Sequence, residues 1–157
     1  MPEAVLRAGR APTLAGVEDG DYEIDDDPAR VDVDVVWNFM SQEAYWGRWR
    51  NREDVERQIA NSWRVVGCYH PADGMVAFAR AVSDGVAIAY LADVFVVAGH
   101  RGRGLGHRLV AAMIDEGPGA GFRWLLHTAD AHDLYRQFGF VEPDSTVLER
   151  QARINQS

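Results

Sequence analysis

The chain has 157 residues, of which 47% are hydrophobic, and a formal net charge of −8, which suits one soluble globular domain and argues against a general affinity for nucleic acid or anionic membranes. Because Cys68 is the one cysteine, no internal disulfide can form, and the longest apolar stretch, Val86 to Ala98, is too short to span a bilayer. The N-terminus lacks the continuous apolar segment of a secretory signal, so we expect a cytoplasmic protein. The acidic net charge favours a cationic or modestly charged substrate.

The first third of the chain predicts an acidic arm and two short helices. Residues Met1 to Gly20 have little apolar periodicity and are predicted to form a loose extension. The acidic run EDGDYEIDDD, at Glu18 to Asp27, predicts either a short edge strand or a solvated arm. Apolar residues at helical spacing around Phe39 predict the first helix, and Asn51 is predicted to cap the second, REDVERQIANS.

A β-meander and a helix are predicted in the middle of the chain. Trp63 to Tyr69 and Met75 to Val82 are β-rich runs separated by HPADG, a turn signal. The run Ile88 to Val97 is apolar almost throughout, which is typical of a central strand covered on both faces. Apolar residues at helical spacing from Leu105 onward predict a helix behind this strand.

The last part of the chain predicts a further strand, helix and strand. The strand covers Phe122 to Thr128, Asp130 is predicted to cap a helix that runs to Phe138, and a final strand begins at Phe140. Since no stretch has the composition of a linker, residues 21–157 are predicted to form a single domain.

A basic, glycine-rich stretch, HRGRGLGHRL at His100 to Leu109, directly follows the central strand. A glycine-rich turn that opens a helix exposes backbone N–H groups, which bind phosphate together with the helix dipole. Three arginines with no acidic residue among them favour an anion site over a plain tight turn. Two nucleotide motifs fail, because His107 stands where a dinucleotide fingerprint needs its third glycine and a Walker A loop needs a lysine followed by Ser or Thr.

This turn and a later helix resemble the GNAT superfamily of N-acetyltransferases. Arg101, Gly104 and Gly106 match the family's pyrophosphate turn, which has Gln or Arg, then Gly three residues on, then Gly or Ala two residues further. DAHDLYRQFGF, at Asp130 to Phe140, looks like the family's second motif, a helix with a tyrosine ahead of Gly-Phe. The resemblance covers about Asp21 to Arg150. It implies an α/β (α+β) GNAT fold, with a mixed, mostly antiparallel sheet whose central strands splay apart between flanking helices.

The resemblance implies acetyl-coenzyme A as the cofactor and no metal. The cofactor would lie in the gap where the strand that ends at Val97 splays from the next one. Backbone groups in the last part of that strand would bond the pantetheine arm, backbone amides of the turn would hold the pyrophosphate, and two guanidinium groups would lie near the outer phosphates. The implied cofactor-binding residues are Phe95, Val96, Arg101, Arg103, Gly104, Leu105, Gly106 and His107.

Two side chains are predicted to carry the chemistry, Tyr135 and Asp93. Tyr135 is predicted to hydrogen-bond the departing sulfur and return a proton to it, the alternative being a half-buried helix aromatic. Asp93 is the one charged side chain within the central strand, so it is predicted either to lie at the acceptor site as a base or to bond a neighbouring backbone group or Arg80. Ala92 stands where diamine acetyltransferases carry a glutamate, which argues against a polyamine acceptor and favours deprotonation through water or another group.

Aromatic and basic residues connect the two N-terminal helices, in the region that covers the acceptor in the superfamily. The aromatic rings are predicted either to form the wall of the acceptor pocket or to seal the core. The arginines are predicted either to hold an acceptor carboxylate or to be solvated. These residues are Tyr45, Trp46 and Trp49, with Arg48, Arg50 and Arg52.

The sequence thus predicts an acetyl-coenzyme A-dependent N-acetyltransferase that acts on a primary amine of a small molecule, an amino acid or a peptide. The alternative is a non-catalytic module with the same fold that senses acyl-coenzyme A. Neither hypothesis involves binding to nucleic acid or to a membrane. The sequence leaves the oligomeric state open, with a homodimer among the options.

Overall fold

The computed structural model describes residues 22–44 and 49–153, and its contacts group the chain into two compact units, residues 1–127 and 128–157. The predicted extension Met1 to Gly20 lies outside the described residues. Within the described ranges, no helix is long and apolar enough to cross a membrane.

A five-stranded sheet forms the centre of the first unit. Its strands lie side by side in chain order; the first four are antiparallel, and the fifth pairs in parallel with the fourth. They are β1 (Glu23–Asp25), β2 (Arg64–His70), β3 (Gly74–Ser83), β4 (Ile88–Val96) and β5 (Arg123–Leu125). The predicted mixed, mostly antiparallel sheet is confirmed, and the acidic run does contribute an edge strand, β1.

Local capping explains where the two N-terminal helices, α1 (Val33–Gln42) and α2 (Arg52–Ala60), begin. The Asp32 side chain accepts hydrogen bonds from the first backbone N–H groups of α1. In front of α2, Asn51 and Asp54 form a capping box in which each side chain accepts from the backbone N–H of the other. The predicted N-cap is therefore confirmed.

Helices cover both faces of the sheet. Val65 packs in a core with α1 and α2, where the ring of Phe39 stacks on Phe95 with 4.1 Å between centroids. The preceding residue, Arg64, donates to the carbonyl oxygens of Ala112 and Met113 at the end of α3 (Leu105–Met113). Because successive strand residues point to opposite faces, α3 lies on the other side of the sheet from α1 and α2.

The second unit contains the short helix α4 (His132–Arg136). The prediction that Asp130 caps this helix is wrong: the N-cap is Ala131, whose methyl side chain cannot accept a cap bond. The backbone N–H of Ala131 donates to Thr128 Oγ1.

The predicted final strand from Phe140 is also wrong, because the described part of this segment, residues 140–153, contains no strand. Pro143 cannot donate a ladder hydrogen bond. The Asp144 carboxylate accepts from the backbone N–H of Thr146, which turns the chain locally instead of extending it.

Candidate functional site

A gap opens beside β4 where this strand leaves its parallel neighbour. Pairing between the two strands is confined to Ile88–Tyr90 of β4 and Arg123–Leu125 of β5. Beyond Tyr90, β4 continues to Val96 and pairs only with β3 among the described strands. β5 is shorter than the predicted strand Phe122 to Thr128, so β4 has no parallel neighbour beyond Tyr90 among the described strands.

An extra residue in β4 marks the same region. Phe78 is opposite Phe95 and Arg80 is opposite Ala92, so two steps along β3 match three steps along β4. This is a β-bulge. Within it, Asp93 has a φ of 54°, the one positive value among the described non-glycine residues, in a conformation that Asp tolerates better than most side chains.

The glycine turn connects β4 to α3 through a short 3₁₀ turn, Ala98–His100. Gly102 and Gly104 have φ values of 78° and 73°, and a Cβ built on either would meet no atom within 4 Å. Gly104 occupies the N-cap position of α3 and supplies no side-chain cap. A nine-residue helix therefore begins with an open, glycine-lined N-terminus, which is an environment that favours an anion.

The side chains predicted to bind the cofactor fall into buried and exposed groups. Leu105 and Phe95 are buried in the core, so their backbone groups alone could contact a ligand. Arg101 and Arg103 are exposed at the turn. The Nε of Arg101 donates to the Val96 carbonyl oxygen at 2.9 Å, so a pantetheine arm that bonded this oxygen would have to displace the arginine.

On the face covered by α1 and α2, Asp93 forms a buried cluster with two arginines. Arg50 donates through both Nη atoms to the two carboxylate oxygens, at 2.7 and 2.9 Å, and the Nε of Arg80 donates at 2.6 Å. Burial by itself would raise the pKa of Asp93, but the hydrogen bonds and charges of the two arginines hold it below its ordinary value of 3.8. The carboxylate is therefore a weak proton acceptor in this arrangement.

The predicted acceptor wall is described only in part. Tyr45 and Trp46 lie outside the described residues. Trp49 has 43% of its surface exposed, with the Arg50 guanidinium carbon 5.4 Å from its ring centre. Exposure of such a large ring favours the pocket-wall prediction for Trp49 over a role in sealing the core.

A tyrosine–histidine pair lies where β4 and β5 separate. The Tyr90 hydroxyl and Nδ1 of His127 are 2.6 Å apart, in an exposed position, and Tyr90 belongs to the last paired position of the two strands. No pattern in the sequence predicted this pair or the contact of Arg50 with Asp93. Arg80, predicted as one possible partner of Asp93, does donate to its carboxylate.

Tyr135 lies on α4 in the second unit, with 8% of its surface exposed and its ring edge-on to Phe140. Burial raises the pKa of Tyr135 to about 12, and the negative charge of Asp130 adds to the rise. The hydroxyl therefore keeps its proton at neutral pH, as a hydrogen-bond donor must.

A family model and a solved structure both match this chain, and both belong to the same family. The model of the acetyltransferase (GNAT) family matches residues 33–140. A protein of Xanthomonas campestris pv. campestris, described as a GNAT-family acetyltransferase, is 34% identical over 87% of this chain and 96% of its own, with a TM-score of 0.77.

More distant structures share the fold. An acetyltransferase structure from Deinococcus radiodurans R1 has 23% identity and a TM-score of 0.62 over 83% of this chain and 89% of its own. Glucosamine-6-phosphate N-acetyltransferase from Arabidopsis thaliana has 11% identity and a TM-score of 0.59, over 84% and 98% of the two chains. No functionally curated protein matches the sequence significantly.

Proposed function

Because the chain belongs to the GNAT family of acetyltransferases, we propose that it transfers the acetyl group of acetyl-coenzyme A to an amine of a small molecule, an amino acid or a peptide. One observation carries this proposal. β5 stops pairing with β4 after Tyr90, and the end of β4 leads through the turn into the glycine-lined N-terminus of α3. A thioester at the gap and a pyrophosphate at the turn suit these two features.

The turn fits a phosphate-bearing cofactor on its own geometry. The two glycines at positive φ leave space where side chains would otherwise approach the ligand, and α3 has no side-chain cap to compete with it. Arg101 and Arg103 add positive charge beside the turn. When bound, acetyl-coenzyme A supplies a thioester whose acetyl group can pass to an amine.

We expect Gly104→Asp to weaken coenzyme A binding about tenfold or more, because the new carboxylate would accept from the free N–H groups of α3 and repel the pyrophosphate. Asp tolerates the left-handed φ of 73°, and the site has room for it, so the variant should fold. Calorimetric titration with coenzyme A measures the effect.

The matched control for this prediction is Gly74→Asp. Gly74 has the same φ of 73° and the same open surroundings, but it is the first residue of β3, away from the turn. Equal affinities in the two variants would overturn the assignment of the turn to the pyrophosphate.

The acceptor amine must lose a proton before it attacks. An alkylammonium has a pKa near 10.4, which is about 3.4 units above pH 7. Deprotonation at pH 7 therefore costs about 4.6 kcal/mol. The sequence prediction that Asp93 takes this proton remains a proposal, but the arginine contacts favour Asp93 as a positioning residue. We propose His127 as the stronger candidate, because it lies where β5 stops pairing with β4 and its hydrogen bond with the Tyr90 hydroxyl orients the ring.

We expect His127→Gln to lower kcat/KM at pH 7 by about tenfold to a hundredfold, because the amide cannot act as a base. The loss is smaller than for a sequestered base because water is an alternative acceptor at this exposed position. His70→Gln, at the far end of β2, is the control. If kcat/KM falls less than about threefold in His127→Gln, or falls equally in His70→Gln, another group or a water chain takes the proton.

Tyr135 is proposed as the hydrogen-bond donor to the departing sulfur. Its support is the LYRQFGF motif and its own environment, which keeps the hydroxyl protonated.

The proposed activity is tested with a library of amines incubated with the protein and acetyl-coenzyme A, followed by mass spectrometry. The expected result is that amines of one class each give a product about 42 Da heavier, the mass added by one acetyl group. Tight binding of coenzyme A without acetylation of any amine would favour the alternative hypothesis, a non-catalytic sensor of acyl-coenzyme A.

A further inference from the structure

Three charged side chains are buried together between the sheet and the layer of α1 and α2. Arg50 has 3% of its side chain exposed, Asp93 8% and Arg80 10%. The Nη1 of Arg50 also donates to Gln58 on α2, at 2.7 Å, and its Nη2 lies 3.1 Å from the Met40 sulfur on α1. These contacts hold Arg50 rigidly against Asp93.

The cluster holds two positive charges and one negative charge. Buried charges are costly unless they are paired and hydrogen-bonded. Yet the Nε of Arg50 is buried without a partner among the described residues. Within residues 22–44 and 49–153, Asp93 is also the one hydrogen-bond partner of the Arg80 guanidinium, which it contacts through Nε. The cluster is therefore one negative charge short, and the end of the Arg80 fork has no protein partner in this part of the chain.

Arg80 projects from the same face of the sheet as Tyr90, the last residue of β4 that pairs with β5. Arg80 is the cross-strand partner of Ala92, and paired residues project from the same face of a sheet. Tyr90, two residues before Ala92, projects from that face as well. Ala92 has a small side chain, so the surface between Arg80 and the Tyr90–His127 pair is not filled by a large residue of β4.

We infer that Arg80 binds a carboxylate of the acceptor, and that the acceptor is therefore an amine that carries a carboxylate, an amino acid being the simplest case. This inference rests on the proposed acetyl transfer and names its substrate class. Asp93 fixes the guanidinium through Nε, which leaves the planar Nη1–Nη2 edge for a bidentate contact with two carboxylate oxygens. Arg50 is a positioning residue that holds Asp93.

Charge selects among the amines that could enter. A carboxylate brings one negative charge and neutralises the cluster. A phosphate monoester brings a charge of about −1.5 to −2 and would leave an excess of negative charge. A polyamine would bring a second cation towards a site that already has an excess of positive charge, which is unfavourable. Although the chain is acidic as a whole, this cluster favours an anion.

The experiment compares matched acceptors and three variants. The acceptors are the proteinogenic amino acids, their α-amides, O-phosphoethanolamine with ethanolamine, and spermidine. The variants are Arg80→Gln, Arg80→Lys and the control Arg57→Gln, which removes an exposed arginine of α2. Steady-state KM and kcat are measured for each pair, and calorimetry measures the binding of N-acetylamino acids and their amides to the coenzyme A-loaded protein.

The expected result is a KM for the preferred amino acid about tenfold to a hundredfold below that of its amide, a preference that Arg80→Gln abolishes and Arg57→Gln keeps. Arg80→Lys should retain part of the preference, because it keeps the charge but loses the planar fork. The loss should appear in KM and in product affinity more than in kcat.

Several outcomes would overturn the inference while leaving acetyl transfer intact: equal KM values for acids and amides, a preference for spermidine or the phosphorylated amine, or an unchanged preference in Arg80→Gln. If Arg80→Gln does not fold, the comparison of acids with amides in the parent protein decides. If no amine is acetylated and no N-acetylamino acid binds, both the carboxylate site and the proposed function fail.

Discussion

Tyr135→Phe is expected to lower kcat about 10²–10⁴-fold, the typical contribution of a positioned acid, with little change in the affinity for acetyl-coenzyme A. The substitution removes one hydroxyl and keeps the ring, which packs edge-on against Phe140. Because burial raises the pKa of Tyr135 to about 12, the parent enzyme holds the proton throughout the neutral range. The kinetic loss should therefore be independent of pH between about 6 and 9.

Tyr69→Phe is the matched control for this effect. Tyr69 is also 8% exposed, burial raises its pKa to about 12 as well, and its hydroxyl is buried without a partner among the described residues. Loss of that hydroxyl should leave kcat unchanged. Rapid-quench measurements must first show that chemistry limits turnover, since slow product release would conceal a missing donor. With that established, a loss below threefold in Tyr135→Phe would reduce Tyr135 to a packing residue.

Asp93→Asn is expected to lower the free energy of unfolding by about 3–5 kcal/mol at pH 7, the usual cost of removing one partner from a buried ion pair. The backbone is not the cause, because Asn tolerates the left-handed conformation at this position as well as Asp does. The cost arises because Arg50 and Arg80 stay charged and lose their shared carboxylate. Urea unfolding measures it.

The pH dependence of this stability has a definite sign. The pKa of Asp93 is lower in the folded protein than its ordinary value of 3.8, so its contribution is present above that pH and is lost as the pH falls through the lower, folded value. The difference between parent and Asp93→Asn should thus be constant near neutrality and shrink only below pH 3.8.

Asp34→Asn provides the comparison for Asp93→Asn. Its ion pair with Arg52 is on the surface, where solvent screens the charges, and we expect little or no measurable loss. A loss of that size in Asp93→Asn would mean that the buried pairs contribute little. A large fall in kcat with unchanged stability and KM would instead support Asp93 as the base.

Local patterns in the sequence determined most of the first unit. The predicted bounds of β2, β3 and β4 agree with the structure within one residue, because turn signals and apolar runs act over a few neighbouring residues. Asn51 caps α2 for the same reason, since its capping box spans four consecutive residues. The glycine turn and the tyrosine motif also identified the family, as both are short continuous segments.

Tertiary structure alone decided how distant residues meet. Arg50 and Asp93 are 43 positions apart, and Tyr90 and His127 are 37 apart, so no periodicity links either pair. The bulge at Asp93 depends on how β4 pairs with β3, and the length of β5 depends on how many of its residues pair with β4. A sequence shows that a buried aspartate needs a partner, but the second arginine and the resulting excess of positive charge exist only once helix and sheet pack together, because a side chain's electrostatic environment is set by neighbours in space.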